Sequence, residues 1–262
     1  MRVEQLGEGE AEVAVVGAIH GDEPCGPAGI EAVLADPPAV SQPVKFVIAN
    51  ERALSAGTRY VDTDLNRAFP GDPESDAYEE RLAAELTGEL EDCTVLALHS
   101  TQSYEGIFAL VDDVTPLVRE ICPRLSIDAV VRTAGANEGR IFSAVPETIE
   151  VECGFQGSEA AAENAARVIR EFLAATGVTD DKPPVRTEPL PVFQLGDPIP
   201  KEAADTYEVF ARNFEQVLEG EPIAAADGRT VVAETSFHPV LLSPEGYEDV
   251  FGYTAEKIGV LD

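Results

Sequence analysis

The chain has no tryptophan, one methionine, three histidines and only four lysines among its 18 basic residues. Cations are scarce because acids dominate: 49 Asp and Glu leave a formal net charge of −31 at pH 7. A field of that sign repels phosphate backbones and anionic lipid headgroups, which excludes nucleic acid and membrane surfaces as partners. No apolar run approaches the roughly 20 residues that span a bilayer. No Cys-x-x-Cys pair occurs either. Cys25, Cys93, Cys122 and Cys153 lie far apart, which argues for reduced, mostly buried thiols rather than a disulfide framework. The start, Met1-Arg2-Val3-Glu4, turns acidic at once without a charged-then-apolar leader, so a cytoplasmic location is expected.

What is present suffices for a core. At 262 residues and 44% hydrophobic content, the chain can form one large domain or a medium one plus a small one, and the acidity does not imply disorder. The composition instead reads as a fold adapted to strong salt, from a halophilic source. At molar salt the Debye length falls to roughly 3 Å and self-repulsion is screened.

Short apolar runs alternate with helical patterns over the first two thirds, the signature of a largely parallel α/β sheet covered on both faces. The runs are 13–19, 44–49, 94–98, 107–111, 129–131 and 148–151. Helices are expected near 27–34, 73–90, 116–125 and 158–176. The second of these has Asp72 as N-cap and Pro73 at its first position, and the last is capped by Ser158 and closed by Gly177. The pattern breaks at Thr179-Asp-Asp-Lys-Pro-Pro184, which reads as a linker. The expected organisation is an α/β domain over 1–180 and a small β-domain over 185–262. Gly135-Ala-Asn-Glu-Gly139 reads as a flexible loop leading into Arg140.

Two of the three histidines end apolar strands, in Val-Val-Gly-Ala-Ile-His20 and Val-Leu-Ala-Leu-His99, and a third strand ends in Glu150-Val-Glu152. In open α/β sheets ligands bind beyond the carboxyl ends of the strands, so these three ends can share one crevice. Glu23 follows His20 by three residues. Two imidazoles and one carboxylate make a three-ligand zinc site with a fourth position for water. Arg59, Asn66 and Arg67 fall in one loop. Such arginines grip carboxylates or brace an oxyanion, or simply pair with surface acids; composition does not choose. His238, before Pro239, has no partner motif and reads as structural, and Cys153 reads as packing. Glu150 and Glu152 share a strand face, so spacing does not separate them.

Four segments in this order, His20-Gly-Asp-Glu23, Asp64-Leu-Asn66-Arg67, Leu98-His99-Ser100 and Glu152-Cys-Gly-Phe-Gln156, resemble the succinylglutamate desuccinylase/aspartoacylase family of the zinc carboxypeptidase superfamily. Gly246-Tyr247-Glu248-Asp249-Val250-Phe251-Gly252 resembles the family's closing motif. The resemblance implies a carboxypeptidase-like catalytic domain, a C-terminal β-domain that narrows the cleft, and a homodimer. It also implies one Zn2+ per chain, held by His20, Glu23 and His99. Its Glu-x-Gly-x-Gln pattern selects Glu152 as general base, and the resemblance makes Arg59 the oxyanion stabiliser. Asn66, Arg67, Arg140 and Tyr247 match substrate-binding positions.

The implied activity is zinc-dependent removal of an acyl group from an N-acyl amino acid. Two alternatives are a metallocarboxypeptidase acting on short peptides and a non-catalytic metal-dependent binding protein. The acyl group stays open, although two arginines, Arg67 and Arg140, would suit a dicarboxylic acyl-amino acid.

Overall fold

The computed structural model describes residues 1–135 and 139–262; the middle of the expected 135–139 loop lies outside them. In chain order the first half holds β1 (Arg2–Leu6), β2 (Val13–Gly17), α1 (Cys25–Ala35), β3 (Val44–Ile48), α2 (Glu51–Ala56), α3 (Tyr78–Glu89) and β4 (Thr94–Thr101). It continues through β5 (Phe108–Val111), α4 (Pro116–Ile121), β6 (Ala129–Arg132), β7 (Thr148–Phe155) and α5 (Glu159–Ala175). Six further strands follow: β8 (Leu190–Pro200), β9 (Tyr207–Val209), β10 (Pro222–Ala226), β11 (Arg229–Val232), β12 (His238–Val240) and β13 (Val250–Leu261).

Among the described residues, ten strands form one sheet in the order β1-β3-β2-β4-β7-β5-β6-β8-β13-β12. Its centre, β3-β2-β4-β7, is parallel throughout. β3, β2 and β4 are apolar on both faces, whereas β7 buries Ile149, Val151 and Cys153 on one face and carries Glu150 and Glu152 on the other. Val13 and Val15 face a core shared with α1, α4 and α5, while Ala14 and Val16 face a second core shared with α3. That double burial explains why β3, β2 and β4 read as unbroken apolar runs rather than as alternation. In α5 the buried positions Ala161, Ala165, Val168, Ile169 and Phe172 recur at helical spacing, and Ser158 caps it by accepting from Ala161 N at 3.1 Å.

Two expectations change. The third helix begins at Tyr78 rather than Pro73. Asp72 spends its carboxylate on Glu74 N in a local turn, and Tyr78 N is capped from a distance by Asp62 Oδ2 at 2.8 Å. The sheet also runs across the expected boundary after residue 180. β8 adds parallel to β6 and β13 adds to β8, so both extend the main sheet. What stands apart is a three-stranded antiparallel sheet, β11-β10-β9, over a small core that includes Ile223, Phe237 and Phe251.

Candidate active site

β2, β4 and β7 lie side by side and parallel, and the β4–β7 register sets His99 opposite Glu152. Past the end of β2 the backbone turns at Ala18, whose φ is +56°, a conformation that costs a side-chain-bearing residue of order 1 kcal/mol or more. Bonds from Ala49 N to Gly17 O and from Asn50 N to Ala18 O hold it there. Gly21 then passes so close to α2 that a Cβ would sit 2.2 Å from the Ala53 carbonyl carbon. Only glycine fits, and the tight turn brings Glu23 back beneath His20.

The result is a buried cluster in which ligand atoms of His20, Glu23 and His99 lie within 4.8 Å of one another. The Glu23 carboxylate spans both rings: His20 Nδ1 donates to Oε1 at 2.8 Å and His99 Nδ1 to Oε2 at 3.0 Å. Ser100 N adds a third bond to Oε2 at 3.2 Å. Burial opposes all three charges, yet the two imidazoles hold the Glu23 carboxyl far below the usual range. In return, burial that would lower His99 is overridden by Glu23, and its pKa rises to about 9; His20 is raised in the same way. Two imidazole nitrogens converging on one buried carboxylate are an N,N,O donor set of the kind divalent zinc takes, with the cation replacing the shared protons. Among the described residues, buried His99 Nε2 and Glu152 Oε2 beside the cluster have no hydrogen-bond partner. The residues present therefore fit a metal ion.

Arg59 and Asp64 brace the cluster from outside. Asp64 Oδ1 accepts from His20 Nε2 at 3.1 Å, and its Oδ2 accepts from Arg59 Nε at 3.0 Å. A carboxylate on the far nitrogen fixes the ring's tautomer and leaves Nδ1 facing Glu23. The loop that carries Arg59 and Asp64 is held in turn by Glu79. This fully buried carboxylate accepts from Val61 N, Asp62 N and Thr63 N at 2.7, 2.9 and 3.2 Å, and from Asn50 Nδ2 at 3.0 Å. Against its burial, these donors lower the Glu79 pKa.

The two acids of β7 sit in different surroundings. Glu150 is 1% exposed, and its oxygens take Asn66 Nδ2 at 2.8 Å and Arg140 Nη2 at 2.7 Å. Glu152 has no such cation. Burial and the Glu23 charge push its pKa up to about 7.

The other candidates line the same pocket of about 580 Å³. Asn66 lies there with both ends of its amide engaged, since Ile141 N donates to Oδ1 at 3.0 Å while Nδ2 bonds Glu150. Gly139 makes this approach possible, because a Cβ there would lie 2.1 Å from Arg67 O. Arg67 stands on the rim, its Nη1 donating to Asn66 O at 2.7 Å. Tyr247 is partly exposed on the opposite wall beside Tyr253, its hydroxyl pKa raised by burial and by Glu152. A larger cleft of about 830 Å³ between β8, β13 and the small sheet contains His238, whose ring packs on Phe193, and none of the cluster. All four thiols are free and buried, and Cys25 Sγ donates to His99 O at 3.2 Å.

Sequence reasoning quoted Asp64 in a motif without giving it a role, and it missed Glu79 altogether. The available signal for Asp64 was its place two residues before Asn66. Glu79, one acid among 49, carried none.

Residues 10–175 match the family model of the succinylglutamate desuccinylase/aspartoacylase catalytic domain. A probable aspartoacylase from Nostoc sp. is 28% identical over 165 residues, covering 55% of this chain and 56% of that protein. An N-acyl-aromatic-L-amino acid amidohydrolase (carboxylate-forming) from Mus musculus is 37% identical over 116 residues, 36% of this chain and 35% of that one. The chain thus spans about half the length of the first relative and about a third of the second. A crystal structure of succinylglutamate desuccinylase/aspartoacylase from Rhodobacter sphaeroides shares the fold with a TM-score of 0.79 at 18% identity, over 97% of this chain and 88% of that one. With the matched segment covering well over half its length and the buried His20–Glu23–His99 cluster inside it, the chain belongs to the succinylglutamate desuccinylase/aspartoacylase family.

Proposed function

We propose that the protein is a zinc-dependent amidohydrolase that releases the acyl group of an N-acyl amino acid as a carboxylic acid. The observation that carries this reading is Glu152, a carboxylate with a free buried oxygen, beside the His–Glu–His cluster and with a pKa near neutrality. The mouse relative, a carboxylate-forming N-acyl-aromatic-L-amino acid amidohydrolase, has an activity of the same class.

When bound by His20, Glu23 and His99, zinc would act as a Lewis acid and make a water nucleophilic near pH 7. Glu152 takes the proton from the attacking water and delivers it to the departing nitrogen, so one carboxyl group serves as base and then as acid. A pKa near 7 suits both halves of that cycle. Arg59, pinned by Asp64, presents its guanidinium to the oxyanion that forms on the acyl carbonyl. Arg67 holds the carboxylate of the amino-acid half. Asn66 shapes the pocket through its bonds to Ile141 and Glu150.

The test is a mass-spectrometric screen of N-acetyl-, N-succinyl- and N-formyl-amino acids and short peptides, with zinc in molar KCl, run beside Glu152→Gln. Turnover of acyl-amino acids that disappears in the variant is the expected result. Trimming of peptides alone would move the protein to the carboxypeptidases, and silence across the panel would overturn the catalytic reading.

A further inference from the structure

We propose that Glu150 is a specificity-determining residue. By occupying Arg140 from within the protein, it restricts the pocket to N-acyl amino acids with a single carboxylate and an uncharged side chain, and it disfavours N-acyl dicarboxylates. The proposal rests on the site acting on N-acyl amino acids, and it names which of them.

Three arginines line the pocket. Arg59 is committed to Asp64 through Nε at 3.0 Å, and its Nη1 lies 3.4 Å from Glu23. Arg140 is committed to Glu150 at 2.7 Å, in a pair where the carboxylate is 1% exposed. Only Arg67 has no carboxylate partner among the described residues; its recorded side-chain bond goes to the backbone carbonyl of Asn66. One free guanidinium matches the one carboxylate that every N-acyl amino acid carries.

A second carboxylate would have to win Arg140 from Glu150. Doing so strands Glu150, which is sealed from water and whose other oxygen keeps only the neutral Asn66 amide within hydrogen-bond distance, His99 Nε2 standing 3.8 Å away. Stranding one member of a buried ion pair is far costlier than the gain of a partly exposed replacement. A dianion that left the pair intact would lie against Glu150 and the neighbouring Glu152, with like charges repelling across a pocket of low dielectric. Leu110, Leu195, Leu241, Tyr247 and Tyr253 supply the apolar part of the remaining wall, and the rest of it is neutral or acidic, with Gln102, Gln156 and Glu248. That surface suits an uncharged side chain. The sequence-based expectation of two arginines for a dicarboxylic substrate overlooked the third charge.

The experiment compares N-acetyl-L-leucine with N-acetyl-L-aspartate on the zinc-loaded protein. Wild type is expected to favour leucine in kcat/KM by about tenfold or more, and Glu150→Gln to shift that ratio toward aspartate by about tenfold or more. The double variant Glu150→Gln/Arg140→Gln, which removes both charges while keeping the amide contacts, is expected to return the ratio to the wild-type side. Calorimetric binding of both compounds to Glu152→Gln gives the same preference without turnover, and it covers the case where substitution at Glu150 impairs folding. A wild-type preference for aspartate in rate or binding overturns the proposal. So does a Glu150→Gln ratio equal to wild type, or a double variant that behaves like the single one. If leucine binding is preferred but nothing is hydrolysed, the amidohydrolase reading fails and the assignment of Glu150 stands.

Discussion

Glu150 and Glu152 are two positions apart on one strand face, and their neighbours give them opposite tasks. Glu150 lies against Arg140 and Asn66 and stays ionised. Glu152 is partly buried beside Glu23 without a cation of its own, and its proton is held up to about pH 7. Glu152→Gln is therefore expected to retain one zinc per chain by elemental analysis and to lose turnover by roughly 10²–10⁴-fold. Normal turnover in that variant would reassign the base. The same residue makes a second prediction for metal-free protein. Between the ordinary carboxyl pKa of 4.5 and about 7, folded chains hold a proton on Glu152 that unfolded chains have released. Folding is thus favoured at low pH, and stability drains away as pH rises through that window. In the Gln variant this loss is absent. Its melting temperature should match wild type near pH 4.5 and exceed it above pH 7, by on the order of 2 kcal/mol in stability. Thermal melts of the two chelator-treated proteins that stay parallel across the window would show that Glu152 titrates normally.

At the scale of elements, the loop between α2 and α3 delivers Arg59 and Asp64 to the cluster, and Glu79 on α3 ties it down by three backbone bonds. Glu79→Ala leaves those N–H groups without their acceptor. It is expected to cost about 3 kcal/mol in denaturant unfolding and to lower kcat as Arg59 loses its anchor. Glu79→Gln, which keeps an acceptor oxygen, should cost clearly less; equal losses would mean that the loop is held by other contacts. These loop bonds also mark the limit of what the sequence made readable. β2 and β4 were visible because they are apolar on both faces, and His20 and His99 stood out because they follow such runs in a chain with only three histidines. β1 was invisible, since Arg2–Leu6 is an edge strand with an exposed, mixed composition. The start of α3 was misplaced because its cap, Asp62, lies sixteen residues before Tyr78. The pairing of Glu150 with Arg140 was hidden for the same reason: it is made across the pocket rather than along the chain.

At the scale of the whole molecule, the net charge of −31 must be carried on the outside of a neutral core. One corner shows the consequence. Glu8, Glu10 and Glu12 lie exposed on the turn before β2, and the bond from Thr94 N to Glu12 O draws that turn against exposed Glu91 and Asp92. No arginine or lysine lies within either stretch, 7–12 or 90–94. In dilute buffer this repulsion acts over a Debye length of about 30 Å at 0.01 M, and at 1 M over only about 3 Å. We propose that the fold depends on salt for this reason. The melting temperature should rise between about 0.05 M and about 3 M KCl with zinc held constant, most of the gain arriving by about 1 M, where screening is already shorter than the spacing of surface charges. Replacing Glu10 with Gln and Asp92 with Asn should shrink the low-salt deficit while leaving the high-salt value in place, because only the repulsive part has been removed. A melting temperature indifferent to KCl would mean that the acids are spaced widely enough for water alone to screen them. An equal gain at every salt concentration in the double variant would mean that something other than charge had been relieved at that corner.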